Sequence, residues 1–231
     1  MITSRDNERL KLVRKLHDHR WRAKLGLFVA EGEDLVEAAR RAGVEPVDLL
    51  VAGEDVLPEL LAGASDLPHP PRVAAVFRRA DLPRSQPRNS LVLGLGVCGV
   101  RDPGNVGTLV RTADAFGAVV ALSEGCADPV SPKALRASAG AVFRVPLLAL
   151  GELAGRKVAL VAHGGRPLAE LDLRPPLAFV LGAEREGLPA AVLAGCDEAA
   201  TIPIAAAAES LNVAAAAAIA LYEATRRPKG R

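Results

Sequence analysis

Apolar and polar positions fall in blocks along the chain, and the blocks predict alternating helix and strand. Residues 6–17 read as a helix, LGLFVAEG (25–32) as extended, and EDLVEAARRAG (33–43) as a helix stopped by Gly43. VEPVDLLVAG (44–53) and PRVAAVF (71–77) are strand candidates. Together they predict a small α/β unit. DLPRSQPRNS (81–90) loses apolar periodicity after Leu82 and carries two prolines, so it reads as a linker.

From Ser90 the alternation restarts. SLVLGLGV (90–97), AVVALS (118–123), FRVPLL (143–148), KVALVAH (157–163), LAFVLG (177–182) and TIPI (201–204) predict strands. NVGTLVRTADAF (105–116), PKALRASAG (132–140) and an alanine-rich segment beginning around Ser210 predict helices. Continuous apolar strands between helices imply a mostly parallel sheet covered on both faces. Such sheets bind ligands at the carboxyl ends of their strands. The loops at 101–111, 182–189 and 205–212, rich in small and polar residues, are therefore the places to look for chemistry.

GLGVCG (94–99) is a literal GxGxxG, which raises an NAD-dependent oxidoreductase as one reading. A dinucleotide loop needs its glycines in the turn with a helix starting at once, whereas two of these lie inside a strand and RDPGNVG intervenes. In RDPGNVGTLVRTADAFGA (101–118), Pro103 and Gly104 turn the chain and Asn105 is expected to cap the helix. Leu109, Val110, Ala113 and Phe116 recur toward a core, which leaves Arg111 on another face beside Thr108 and Thr112. LGAEREGLP (181–189) sets glycines at 182 and 187 around Glu184, where a backbone could approach a ligand or simply turn. In IPIAAAAESLNVAAAAAIALYEATR (202–226), Ser210 is a credible N-cap, and its role as cap does not account for Glu209 and Asn212. The helix is apolar on nearly every face, as a helix at a core or dimer interface would be.

Composition narrows the class. Of 231 residues half are apolar and 24% charged, a folded globular balance. No run of about 18 uncharged apolar residues appears, and Met1 leads into a polar segment, so a cytoplasmic protein away from membranes is expected. Cys98, Cys126 and Cys196 form no CxxC pair, and His17 and His19 diverge on a helix, so no disulfide framework or metal site is expected. The net charge of +2 hides local patches. Residues 1–24 hold eight Lys or Arg against three acids with Trp21 interleaved, residues 72–101 hold six arginines against Asp81, and the tail RRPKGR adds four charges. These patches suit a polyanion.

With these motifs in view, NVGTLVRTADAFGA, LGAEREGL and IPIAAAAESLNVAAAAAIALYE, in this order and spacing, resemble the three motifs of the SpoU (TrmH-type) RNA ribose 2′-O-methyltransferases of the SPOUT superfamily. The similarity covers about 88–226. FVAEGEDLVEAARRAGVEPVDLLV (28–51) resembles more weakly the ribosomal-protein-like domain that precedes many members. The resemblance implies a substrate-RNA-binding domain over 1–85, and a catalytic α/β domain over 86–231 with a deep trefoil knot. It also implies a homodimer, S-adenosylmethionine as cofactor, and RNA, ribosomal rather than transfer, as substrate, with no DNA. By motif position Gly182, Ala183, Glu184, Ile202 and Leu211 would hold the cofactor, and Asn105, Arg111, Glu184, Ser210 and Asn212 would be the polar active-site residues.

A guanidinium with a pKa above about 12 is a poor base, so Arg111 is better read as a clamp on phosphate and developing alkoxide. The chain departs from the family in having Ala205–Ala208 and Ala214 where glycines and a serine are common, and Arg185 where an uncharged residue is usual. A non-catalytic RNA-binding protein of the same fold is the alternative of another class.

Overall fold

The computed structural model describes residues 1–84, 92–205 and 207–226. Most of the expected linker, Ala206 of the alanine tract and the end of the basic tail lie outside the described residues.

In the first part, β1 (Leu27–Glu31), β2 (Asp48–Val51) and β3 (Val73–Arg78) form an antiparallel sheet in the order β1-β3-β2. The helices are α1 (Glu8–Leu16), α2 (His19–Leu25), α3 (Glu33–Arg41) and α4 (Pro58–Ala62). Asn7 and Asp18 cap α1 and α2 by accepting from Arg9 N and Arg20 N, and Gly26 ends α2 in the left-handed region at φ 65°. Strand alternation gives the sheet two apolar faces. Val29 and Val76 face Leu10, Val13 and Leu16 of α1, while Phe28, Ala30, Ala75 and Phe77 point the other way, into the core of the second part.

The second part is a seven-stranded sheet, parallel throughout, in the order β6-β5-β4-β9-β7-β10-β8. Its strands are β4 (Leu93–Val97), β5 (Val119–Leu122), β6 (Leu147–Ala149), β7 (Arg156–Leu160), β8 (Arg166–Pro167), β9 (Leu177–Leu181) and β10 (Glu198–Thr201). The helices are α5 (Pro103–Ala115), α6 (Pro132–Ser138), α7 (Ala190–Ala194) and α8 (Val213–Arg226). The central strands, LGLGV and LAFVL, are buried at every position, as strands covered on both faces must be. Gly94 and Gly96 are strand residues whose missing side chains admit Leu150 and Leu153: a Cβ on Gly94 would stand 2.8 Å from Leu153 Cδ1. That packing accounts for the GxGxxG without a nucleotide.

Several predicted strands are shorter than expected, VEPVDLLVAG being extended only over Asp48–Val51 and KVALVAH ending at Leu160, and two differ more. Within FRVPLL only Leu147 and Leu148 are extended, Phe143 closing a 3-10 turn, and β10 stops at Thr201, so TIPI is mostly loop. Pro203 has no N–H for a ladder, which explains the second correction.

The two parts share one core. The rings of Phe28, Phe77 and Phe143 meet with centroids 5.1–6.0 Å apart, and Gly140 leaves the space that Ala38 of α3 fills. Beside this cluster Asp128, in the loop after β5, accepts from Arg22 Nε at 2.7 Å and from Arg79 Nη2 at 2.6 Å. The side chains of Arg22 and Asp128 are both more than nine-tenths buried, and Arg22 Nη1 also donates to the carbonyls of Leu16 and His17. Removing the carboxylate would strand the Arg22 charge in the interior. Asp128→Ala is expected to cost about 3–5 kcal/mol and to lower the thermal midpoint by on the order of 10 °C in calorimetry, with Asp128→Asn milder.

Candidate functional site

A cleft of about 190 Å³ opens at the carboxyl ends of β7 and β9. Three segments wall it: Leu160–Ala162 leaving β7, Leu181–Glu184 with Gly187 and Leu188 leaving β9, and residues of the 202–213 stretch with Ala216 of α8. Gly182, Ala183, Glu184, Ile202, Ser210 and Leu211 all line it. Sequence reading missed Leu160, Val161, Ala162 and Ile204. The rule that drew attention to the other loops applies equally to the end of KVALVAH and could have found the first three.

The β9 loop is held shut by its own backbone. Gly187 N donates to the Ala183 carbonyl at 2.9 Å, folding residues 183–187 back so that a Cβ on Gly182 would overlap the Gly187 carbonyl. Gly187 itself lies at φ 66°, where a side chain is strained. Both glycines of LGAEREGL are thus required by the wall of the cleft.

Three of the polar residues, Asn212, Asn105 and Glu184, form a directed chain of hydrogen bonds, of which only Glu184 lines the cleft. Asn212 Oδ1 accepts from the backbone N–H of Ala214 at 2.9 Å and of Ala215 at 3.4 Å, so Asn212 caps α8. Its Nδ2 donates to Asn105 Oδ1 at 3.1 Å, and Asn105 Nδ2 donates to Glu184 Oε1. A backbone N–H can only donate, so the first bond fixes which way the Asn212 amide faces, the second fixes Asn105, and the carboxylate ends the chain as acceptor.

Both expected caps are corrected. Ser210 precedes the real cap by two residues and lines the cleft instead. At α5 the cap is Asp102, which accepts from Asn105 N at 2.9 Å, because Pro103 suits the first helical position and shifts the cap ahead of it. Asn105 is left inside the first turn with its side chain free to cross to Glu184. Asp102 also accepts from Lys133 Nζ at 2.7 Å, and this ammonium, with the Asn105 N–H, holds the carboxyl below the usual carboxylate range.

Arg111 stands apart. It is exposed on α5 and does not line the cleft. The six-residue step from Asn105 places it about 9 Å farther along the helix and roughly 120° around it. Thr108, one turn earlier on the same exposed face, donates to the Gly104 carbonyl. Burial pushes the Cys98 thiol up to about 11, which removes it as a nucleophile. Among the described residues no group of three or more His, Cys, Asp or Glu is placed to hold a metal, and no helix is long and apolar enough to cross a membrane.

The fold and the cleft at its strand ends define an α/β RNA methyltransferase. Residues 93–222 match the SpoU rRNA Methylase family and residues 7–76 the MRM3-like substrate binding domain, and the chain belongs to the SpoU family. It is 32% identical to the 23S rRNA (guanosine(2553)-2′-O)-methyltransferase RlmP of Bacillus subtilis, over 96% of this chain and 97% of that one. It superposes with a TM-score of 0.87 on an AdoMet-bound rRNA methyltransferase from Sinorhizobium meliloti, 29% identical, over 99% and 98% of the two chains. The SpoU methyltransferase AviRb of Streptomyces viridochromogenes, in complex with the cofactor AdoMet, gives 0.86 at 29% identity, covering 97% of this chain and all of that one.

The directed chain predicts coupling. Asn105→Ala and Asn212→Ala should each lower stability by on the order of 1 kcal/mol, and the double variant should lose measurably less than their sum in denaturant titrations.

Proposed function

We propose that this protein methylates a ribose 2′-hydroxyl of 23S ribosomal RNA in the cytoplasm, drawing the methyl group from S-adenosylmethionine. The observation that carries the reading is the meeting of three separate loops through the hydrogen bonds of Asn105, Glu184 and Asn212, beside a cleft that Glu184 lines together with Gly182, Ile202 and Leu211. The cleft suits the cofactor chemically: Leu160, Leu181, Leu188, Ile202 and Leu211 offer apolar surface to a purine. When bound, S-adenosylmethionine supplies an electrophilic methyl carbon on a sulfonium.

Gly182, Ala183, Ile202 and Leu211 hold the cofactor, with Glu184 at the junction of cofactor and polar chain. Asn105, Asn212 and Ser210 orient the ribose, so that acceleration comes from alignment of oxygen, carbon and sulfur. Arg111, outside the cleft on the exposed face of α5, clamps RNA phosphate rather than removing a proton. Residues 1–85 form the RNA-binding part and 86–231 the catalytic part. Similarity along nearly the whole chain to a 23S rRNA enzyme supports ribosomal over transfer RNA. The trefoil knot belongs to the same reading, supported by the last strand, β10, lying between β7 and β8 instead of at a sheet edge.

The homodimer is supported by an apolar stripe on α8. Ala215, Ile219 and Tyr222 share one exposed face, with Ile219 41% and Tyr222 56% exposed. Ile219→Glu is expected to convert a dimer to a monomer in light scattering. For the chemistry, Arg111→Ala should retain S-adenosylmethionine binding in calorimetry while transfer of labelled methyl to ribosomal RNA falls by at least about a hundredfold. Undiminished transfer would remove Arg111 from the site, and absence of cofactor binding by the wild type would favour a non-catalytic RNA-binding protein.

A further inference from the structure

Trp21 is the only tryptophan of the chain, and its ring lies half-buried on α2. Lys15 Nζ stands 5.1 Å and Lys24 Nζ 5.2 Å from the ring centroid. Neither ammonium is paired with a carboxylate among the described residues, although acidic side chains are available nearby: Lys11 pairs with Glu8, and Arg20 with Asp18. Lys15 and Lys24 are exposed at the ring, and His19 and Arg20 are exposed on the same helix as Trp21. An aromatic ring carrying two flexible ammonium groups over it suits single-stranded nucleic acid, a base displacing the ammonium groups from the ring and these taking the neighbouring phosphates.

The placement of α2 gives this patch a second significance. Arg22, the residue after Trp21, is the one anchored to Asp128 in the loop leaving the carboxyl end of β5. β5 is two strands from β9, whose own carboxyl end opens into the cleft, so the anchoring loop and the cleft leave the same rim of the sheet, from strands about 10 Å apart. The geometry points to Trp21, with Lys15 and Lys24, as a stacking site for an unpaired base of the RNA substrate, held by the Arg22–Asp128 pair on the same rim as the methyl-transfer cleft. This rests on the methyltransferase reading for the identity of the RNA, while the stacking itself does not require catalysis.

Trp21 reports on its own occupancy. Titrating the full-length protein with a single-stranded RNA of about a dozen nucleotides should give saturable quenching of tryptophan emission. With fluorescein-labelled RNA read by anisotropy, Trp21→Ala should weaken binding about tenfold, and Trp21→Phe should recover most of the loss. Lys15→Ala combined with Lys24→Ala should reduce the slope of log affinity against log salt by about 1.4. In methyl-transfer assays Trp21→Ala should raise the KM for ribosomal RNA, with S-adenosylmethionine affinity unchanged in calorimetry. RNA binding without quenching, or affinity and KM unaffected by Trp21→Ala and by the lysine pair, would overturn the assignment and leave the methyltransferase reading intact. Quenching and a Trp21-dependent affinity in a protein that transfers no methyl would uphold the stacking site and sink the enzyme reading instead.

Discussion

The site depends on a hydrogen-bond chain whose direction is imposed by a helix end. The first N–H groups of α8 have no partners within their helix, and Asn212 satisfies two of them. Its amide therefore has only donors to offer outward, Asn105 passes the same polarity on, and the chain closes on Glu184. Three loops distant in sequence are thus ordered by one local need, and each amide is held in the orientation in which its neighbours are satisfied. On the proposed reading, such preorganisation serves the alignment that methyl transfer requires.

The surrounding frame achieves its closeness by omitting side chains. Gly94 and Gly96 let two leucines seat on the sheet, Gly107 lets α5 lie directly on the Ala134 carbonyl of α6, and Gly182 lets the β9 loop fold onto itself. The alanines of α8 act similarly: Ala214, Ala217, Ala220 and Ala224 are buried along one face, where α8 packs on α5. Asn105 and Asn212 can bond directly because their two helices come this near.

Much of this was legible in the sequence. The apolar blocks of LGLGV and LAFVL announced covered parallel strands, the strand-end rule led to the loops of Gly182, Glu184 and Ser210, and the family resemblance added Ile202 and Leu211. What stayed hidden depended on partners far along the chain. Asn105 and Ser210 both have good capping chemistry, but the neighbouring Asp102 and Asn212 cap instead, and what the sequence hides is that Asn105 then reaches Glu184, 79 positions away. HRWRAKL shows no apolar periodicity because the buried residue of α2 is an arginine, paired to a carboxylate 106 positions away. Pro203 could have shortened the TIPI strand in advance, since its missing donor is evident from sequence alone.

The shared core bears on how such a protein could be rebuilt. Phe28 and Phe77 of the small sheet complete their packing only against Phe143, and Ala38 only against the gap at Gly140. The N-terminal part is therefore not an interchangeable cartridge. A chimera that grafted another recognition sheet onto this catalytic body would have to carry matching ring positions and an aspartate-seeking arginine with it, and one that spliced only at the linker would inherit an exposed aromatic seam.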